Sequence, residues 1–392
     1  MQTGLQAALL CLGAASLWAQ TISPVVREGP YYVQTVTASL PIGSAVRIRV
    51  RSFGNLALHG GAPGTLTYSL KKRVRASSLF RAEVALRDLE VRSRRNGAWI
   101  LLDLPVNRAG SYSAELSVNA PRTLLQASLE TRGGGIVLTN FDGEAKAETD
   151  GGRIELDQLH SNITAITGGG DIHAGRVDGV LHCYSGGGAI RVNTAGRETW
   201  LDTAGGDILV RDALAPIHVA TAGGNIHVDR SSAEVFARTG GGVIEVGQAA
   251  GLVTAETSGG AIQVNGARGV RCESTAGTIR LRNMQGAVRA ATAQGNILAQ
   301  LQSGQRIEDS ILSTMLGDII VLLSSNIPVT IQARNESAGS KRRIVSDFRE
   351  IRIRNANLES GDPVVAEGVL NGGGPVLRIV TSSGIIFLRR QE

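Results

Sequence analysis

Val235-Phe236-Ala237-Arg238-Thr239-Gly240-Gly241-Gly242-Val243-Ile244-Glu245-Val246 holds the architecture of this chain in miniature. Val235, Ala237 and Thr239 alternate with bulkier or charged residues, the period of a strand with one face turned inward. The glycines break that parity. Ile244 and Val246 resume it one step out of phase, so the phrase reads as strand, glycine corner, strand.

The same phrase recurs along the chain. Isoleucines at 136, 154, 172, 190, 208, 226, 244 and 262 are 18 residues apart, Ile279 follows after 17, and Ile297 after 18 again. The residue two before each of these ten isoleucines is Gly, and the residue five before is Thr or Ser. A side chain is excluded from the first column, and the second is expected to stack as a hydroxyl ladder.

Two inward stripes of so few residues cannot bury themselves. Identical units stacked in register form a continuous aliphatic core. The fold expected is all-β: a parallel β-helix or β-roll solenoid of 18-residue coils, right-handed as parallel crossovers nearly always are. Ten coils at strand spacing make a rod of roughly 48 Å.

Other solenoids with this period fit poorly. A left-handed hexapeptide helix needs an aliphatic residue every six, but six after Val235 stands Gly241. A calcium roll needs Gly-Gly-x-Gly-x-Asp. Here Ile takes the second glycine's place, and the slot before it varies through Arg153, Asp171, Ala189, Asp207, Asn225 and Val243. A leucine-rich repeat needs return segments unlike Gly175 to Gly179.

Working outward, residues 1–19 read as a secretory signal: Ala7 to Trp18 is apolar, with cleavage near Ala19, although no basic residue precedes the run. No later segment reaches the roughly 18 apolar residues of a membrane span. Residues 20–127 read as a β-rich cap domain covering the first coil, with strands at Val46 to Arg51 and Ala98 to Leu104 and a short helix, Leu79 to Leu89, capped by Ser78. The ten coils occupy 128–304. Residues 305–392 hold irregular coils and a closing one, in which Leu377, Ile379, Thr381, Gly384, Ile386 and Leu388 return to the columns.

Charge is unevenly divided. Residues 21–128 carry 15 Lys+Arg against 6 Asp+Glu, whereas residues 129–304 carry 14 against 18. A basic head is a candidate contact for an anionic surface, with a solvated strand face as the simpler alternative. Basic and aromatic residues do not interleave, which argues against nucleic acid. Cys183 and Cys272 share an inward column five coils apart, about 24 Å at strand spacing, too far for a disulfide. They read as buried small hydrophobes.

Together, the Gly-x-Ile-x-Val coils, the β-rich head with its short helix, and Leu370-Asn371-Gly372-Gly373-Gly374-Pro375 before the closing Leu377 to Leu388 resemble the bacterial putative-adhesin family, a domain of unknown function. The resemblance spans nearly all of residues 30–390. It implies a β-helix and an adhesin-like role, and supplies no catalytic residues.

Function must sit on outward columns, because the inward ones are committed to packing. Eight before the Ile, four successive coils carry His182, Trp200, His218 and Phe236, with Tyr184 in the neighbouring column. In a chain only 4% aromatic, this row is the candidate binding face for glycan or an envelope component. The competing account is β-propensity alone. No cofactor is called for. His182 and His218 are about 9.6 Å apart at strand spacing, and His173 and His227 stand three coils apart, so neither pair suits one metal ion.

The leading expectation is thus a non-enzymatic, exported, adhesin-like or structural envelope protein, periplasmic or at the surface. The alternative is a β-helix carbohydrate-active enzyme. It would use Asp202 and Arg238, two coils apart, or the carboxylates Glu256 and Glu273 on neighbouring coils.

Overall fold

The computed structural model describes residues 19–105, 112–302, 307–336, 344–354 and 363–391. Two long, mainly parallel sheets face each other across one apolar core. The first (the Thr sheet) is built from strands such as Val235–Thr239 and the second (the Ile sheet) from strands such as Ile244–Ala249. Each coil contributes one strand to each. Register is strict: Ile226 pairs with Ile244 and Ile244 with Ile262, while Thr221 pairs with Thr239 and Thr239 with Thr257.

Strict alternation follows from the two-residue pleat. In Val235–Thr239 the first, third and fifth residues are buried, and the Ile column from Ile136 to Ile297 is at most 1% exposed. Each such isoleucine contributes about 1.5–3 kcal/mol by burial.

The glycine column has a steric cause. A Cβ on Gly242 would overlap the carbonyl of Gly224, and one on Gly152 the carbonyl of Gly134. The coils therefore touch backbone to backbone at the corner. The hydroxyl column does not bond to itself as a ladder. Instead, Thr239 Oγ1 donates to Gly224 O of the preceding coil at 2.8 Å and accepts from Gly242 N of its own at 3.1 Å. Thr221 and Thr257 repeat the pattern, so each hydroxyl satisfies two buried backbone groups and ties two coils.

The variable slot before the Ile also has a structural use. Asp207 Oδ1 accepts from Asn225 N at 2.7 Å, and Asn225 Oδ1 accepts from Val243 N at 2.9 Å. Polar residues there satisfy the corner amide of the next coil.

The head takes part in the solenoid although it lacks the 18-residue period. Arg47–Ser52 and Asn55–Gly61 form a coil directly beneath Gln126–Thr131 and Ile136–Phe141. Ser52 and Gly54 stand at its corner, and one residue fewer separates Ser52 from Leu56 than Thr131 from Ile136. Trp99–Asp103 and Tyr112–Pro121 stack on the far side of that coil, so the chain lays its second level outside its first. Ala19–Ile22, Tyr31–Pro41 and Thr65–Val74 continue the Ile sheet antiparallel. Residues 1–18 of the expected signal segment lie outside the described residues.

The expected helix forms at Leu79–Arg87, with Ser78 at its N-cap accepting from Arg81 N. Its inner residues Ala82 and Leu86 pack with Val74 and Leu89. The buried Lys72 ammonium donates to Leu86 O at 2.9 Å, satisfying a carbonyl of the last turn.

The tail repeats the out-of-order layering. Val376–Ser383 lies between Ser310–Leu316 and Val329–Asn335, and Ile386–Gln391 between Ile319–Ser324 and Ile344–Ser346. The final coil in sequence is therefore interior to the stack. Beyond it, Val364–Leu370 and Arg352–Arg354 close the Thr sheet antiparallel.

Candidate functional site

The outward column of the Thr sheet brings His182, Trp200, His218 and Phe236 into one stack, because their strands pair residue for residue. His182 and Trp200 have ring centroids 4.5 Å apart and tilted by 44°. Trp200 and His218 are stacked at 5.4 Å and 7°, and His218 and Phe236 at 4.7 Å and 1°.

This geometry has a chemical consequence. Both faces of Trp200 and of His218 are turned to other rings of the stack, so solvent reaches those two rings mainly at their edges. The edges carry the imidazole nitrogens and the indole N–H, which are hydrogen-bonding groups. A flat ligand cannot lie on a ring face in the middle of the row. It can run alongside.

Tyr184 lies beside the stack in the neighbouring column and is 52% exposed. Asp202 follows it in register. Burial among these side chains raises the Asp202 carboxyl above the usual carboxylate range, and His182 opposes the shift. On the other side, His218 Nε2 lies 3.4 Å from Glu198 Oε1. The row is thus a strip of aromatic edges bordered by two carboxylates and a phenol.

The remaining candidates fall elsewhere. Arg238, Glu256 and Glu273 line one shallow groove of ≈ 520 Å³ with Ser258, Thr275 and Met315, but Asp202 is outside it. Glu256 and Glu273 are register neighbours. Arg271 donates to Glu273 at 2.9 and 3.1 Å, and Arg238 stands 3.9 Å from Glu256, so each carboxylate has a cationic partner. His227 is held by Asp229 at 2.6 Å and Glu245 at 3.2 Å on the Ile sheet. No group of three or more His, Cys, Asp and Glu suited to a metal ion occurs among the described residues.

The basic face of Arg47–Ser52 is largely answered by neighbouring strands. Glu130 accepts from Arg49 at 3.0 Å and from Arg51 at 2.8 Å, and Arg47 sits over the Trp99 ring. Cys183 and Cys272 are free and buried, and burial pushes the Cys183 thiol up to about 12. Among the described residues no helix is long and apolar enough to cross a membrane.

Neither a family model nor a curated protein matches the chain. Solved structures give likenesses at low identity. A putative adhesin from Bacteroides fragilis is 15% identical with a TM-score of 0.32, covering 62% of this chain and 95% of its own. One from Parabacteroides distasonis is 12% identical with a TM-score of 0.27, covering 70% and 96%. A putative cell adhesion protein from Clostridium sporogenes is 9% identical with a TM-score of 0.20, covering 92% and 100%. The strand registers, not these scores, define the solenoid. These structural neighbours, from several bacteria, are named as putative adhesins or a putative cell adhesion protein.

Proposed function

We propose that this chain is a non-enzymatic, exported rod that adheres through the outer face of its Thr sheet to glycan or another envelope component. The observation carrying this reading is the stack of four rings with exposed Tyr184 beside it on the outer face of the Thr sheet. With the central ring faces occupied, the ligand lies lengthwise, meeting ring edges, the Tyr184 ring and the carboxylates of Glu198 and Asp202. Repeated weak contacts at strand spacing suit an extended polymer better than a compact small molecule.

Co-sedimentation with purified envelope fractions tests this. Wild type is expected to sediment. A Tyr184→Ala, Trp200→Ala, Phe236→Ala triple variant, shown to be folded, should remain in solution, with single Tyr184→Ala intermediate. Equal sedimentation of wild type and triple variant would remove the row and leave the basic head as the contact.

A second reading follows from the groove containing Arg238, Glu256 and Glu273: a carbohydrate-active enzyme. Turnover of polyuronates that disappears in Glu256→Gln would establish it. A blank screen across acidic glycans would remove it.

A further inference from the structure

The 18-residue period of the coils shortens on the return-turn side after Ile262. The spacing from Ile262 to Ile279 is 17 residues, and the missing residue falls in the turn from Ala267 to Val270, where Gly269 takes φ +142°. Strands of the Ile sheet shrink there from six residues in Ile244–Ala249 to three in Ile262–Val264 and Ile279–Leu281. The inner column is kept, since Ala267 and Met284 remain buried and bridge each other. What is lost is the outer pleat. Asn283 leaves the strand in the left-handed region at φ +54°, and Gly286 follows at +68°.

A groove of ≈ 500 Å³ opens at this break. Its walls carry the carboxamides of Gln248, Asn265, Asn283 and Gln285, and its apolar floor includes small residues such as Ala249 and Ala267. Two arginines border it and differ in state. Arg230 Nε donates to Asp212 at 2.7 Å. Arg268 is exposed and has no ion pair among the described residues.

The chemistry selects a ligand class. A carboxamide offers donor and acceptor side by side, the complement of a sugar hydroxyl that both gives and takes a hydrogen bond. Gln248 and Gln285 are exposed and make no side-chain hydrogen bond among the described residues, so both are available. Alanines let a sugar's C–H face approach closely. The groove has no aromatic ring for a nucleobase to stack on. Arg268, unneutralised, adds an anion requirement.

We infer that this groove binds an acidic oligosaccharide lying along the rod axis, its hydroxyls on Gln248, Asn283 and Gln285 and its carboxylate or sulfate on Arg268. The site is separate from the aromatic row and on another side of the coil.

Titration calorimetry of the full chain with three probes decides the matter: oligogalacturonate, a sulfated galactan oligosaccharide and neutral maltoheptaose. At least one acidic probe should bind and the neutral one should not, and whichever acidic probe binds identifies the anion. Arg268→Gln should weaken binding about tenfold or more, the scale of a charge-assisted hydrogen bond, and Gln285→Ala several-fold. Both positions are exposed, so the variants should keep the wild-type melting temperature. The triple variant of the aromatic row should bind these probes as wild type does, which separates this site from the proposed adhesive face. Failure of both acidic probes, equal binding of the neutral one, indifference to Arg268→Gln, or loss of binding in the aromatic variant would each overturn the inference.

Discussion

At the residue scale, the rod depends on two columns that no core-packing account would single out. Thr239 is buried, yet it is retained for its oxygen and not for its methyl. Thr239→Val preserves the shape and leaves Gly224 O and Gly242 N short of a partner. The expected loss is about 1–3 kcal/mol, the cost of an unmet buried polar group, measurable by urea denaturation. Gly242→Ala is expected to cost more, because the added carbon meets backbone that belongs to a different coil. Charge enters through Asp142. The Arg122 guanidinium, hydrogen-bonded to it at 2.7 and 2.8 Å, holds its carboxyl below the usual carboxylate range, against the opposing effect of burial and with help from His160. A depressed folded-state value stabilises above the unfolded carboxylate pKa near about 4 and fades as pH falls through the folded value. Melting temperature should therefore drop below about pH 4, and Asp142→Asn should flatten that part of the profile. An unchanged profile in the variant would assign the acid transition to other carboxylates, such as Asp212 and Asp347, which are also lowered by arginines.

At the scale of elements, both ends of the Thr sheet finish in short, arginine-rich antiparallel strands, Arg92–Asn96 and Arg352–Arg354. An uncovered parallel coil would be a template for the next molecule, and charged edge strands oppose that pairing. Arg92 and Arg94 lie exposed on the outermost strand. Replacing both with Thr or Val is expected to give end-to-end oligomers in sedimentation velocity with the monomer's secondary structure retained. A variant that does not associate would place the protection elsewhere in the head. In the head, alternation made the strands at Arg47–Ser52 and Trp99–Asp103 readable and the Ser78 cap the helix, whereas the two arginine-rich edge strands carry no such signal. The two head coils were not readable as coils, because the Ser52–Leu56 corner is a residue short and a long excursion separates the strands that stack.

At the scale of the molecule, the interior placement of the last coil joins the tail's stability to the C-terminus. Val376–Ser383 and Ile386–Gln391 separate two levels that are consecutive in the chain. Truncation after Pro375 removes both strands from the middle of the stack. The truncated chain is expected to aggregate, or to lose residues 307–375 to limited proteolysis while the coils from 128 to 302 stay protected. Solenoids allow this outcome, because each coil contacts only its neighbours. Loss of the whole rod at one protease concentration would show that the stack unfolds as a single unit.

The repeat by itself determined the coil, its glycine corner, the inward and outward columns and the row from His182 to Phe236, because strict 18-residue periodicity converts sequence position directly into position on a face. Only the tertiary structure decided how that row is presented: the rings stack on one another and offer edges, a matter of side-chain angles that periodicity does not encode. Layer order at both ends and the amide groove at the 17-residue coil were likewise decided in three dimensions, since they arise where distant or irregular segments meet and no period relates them.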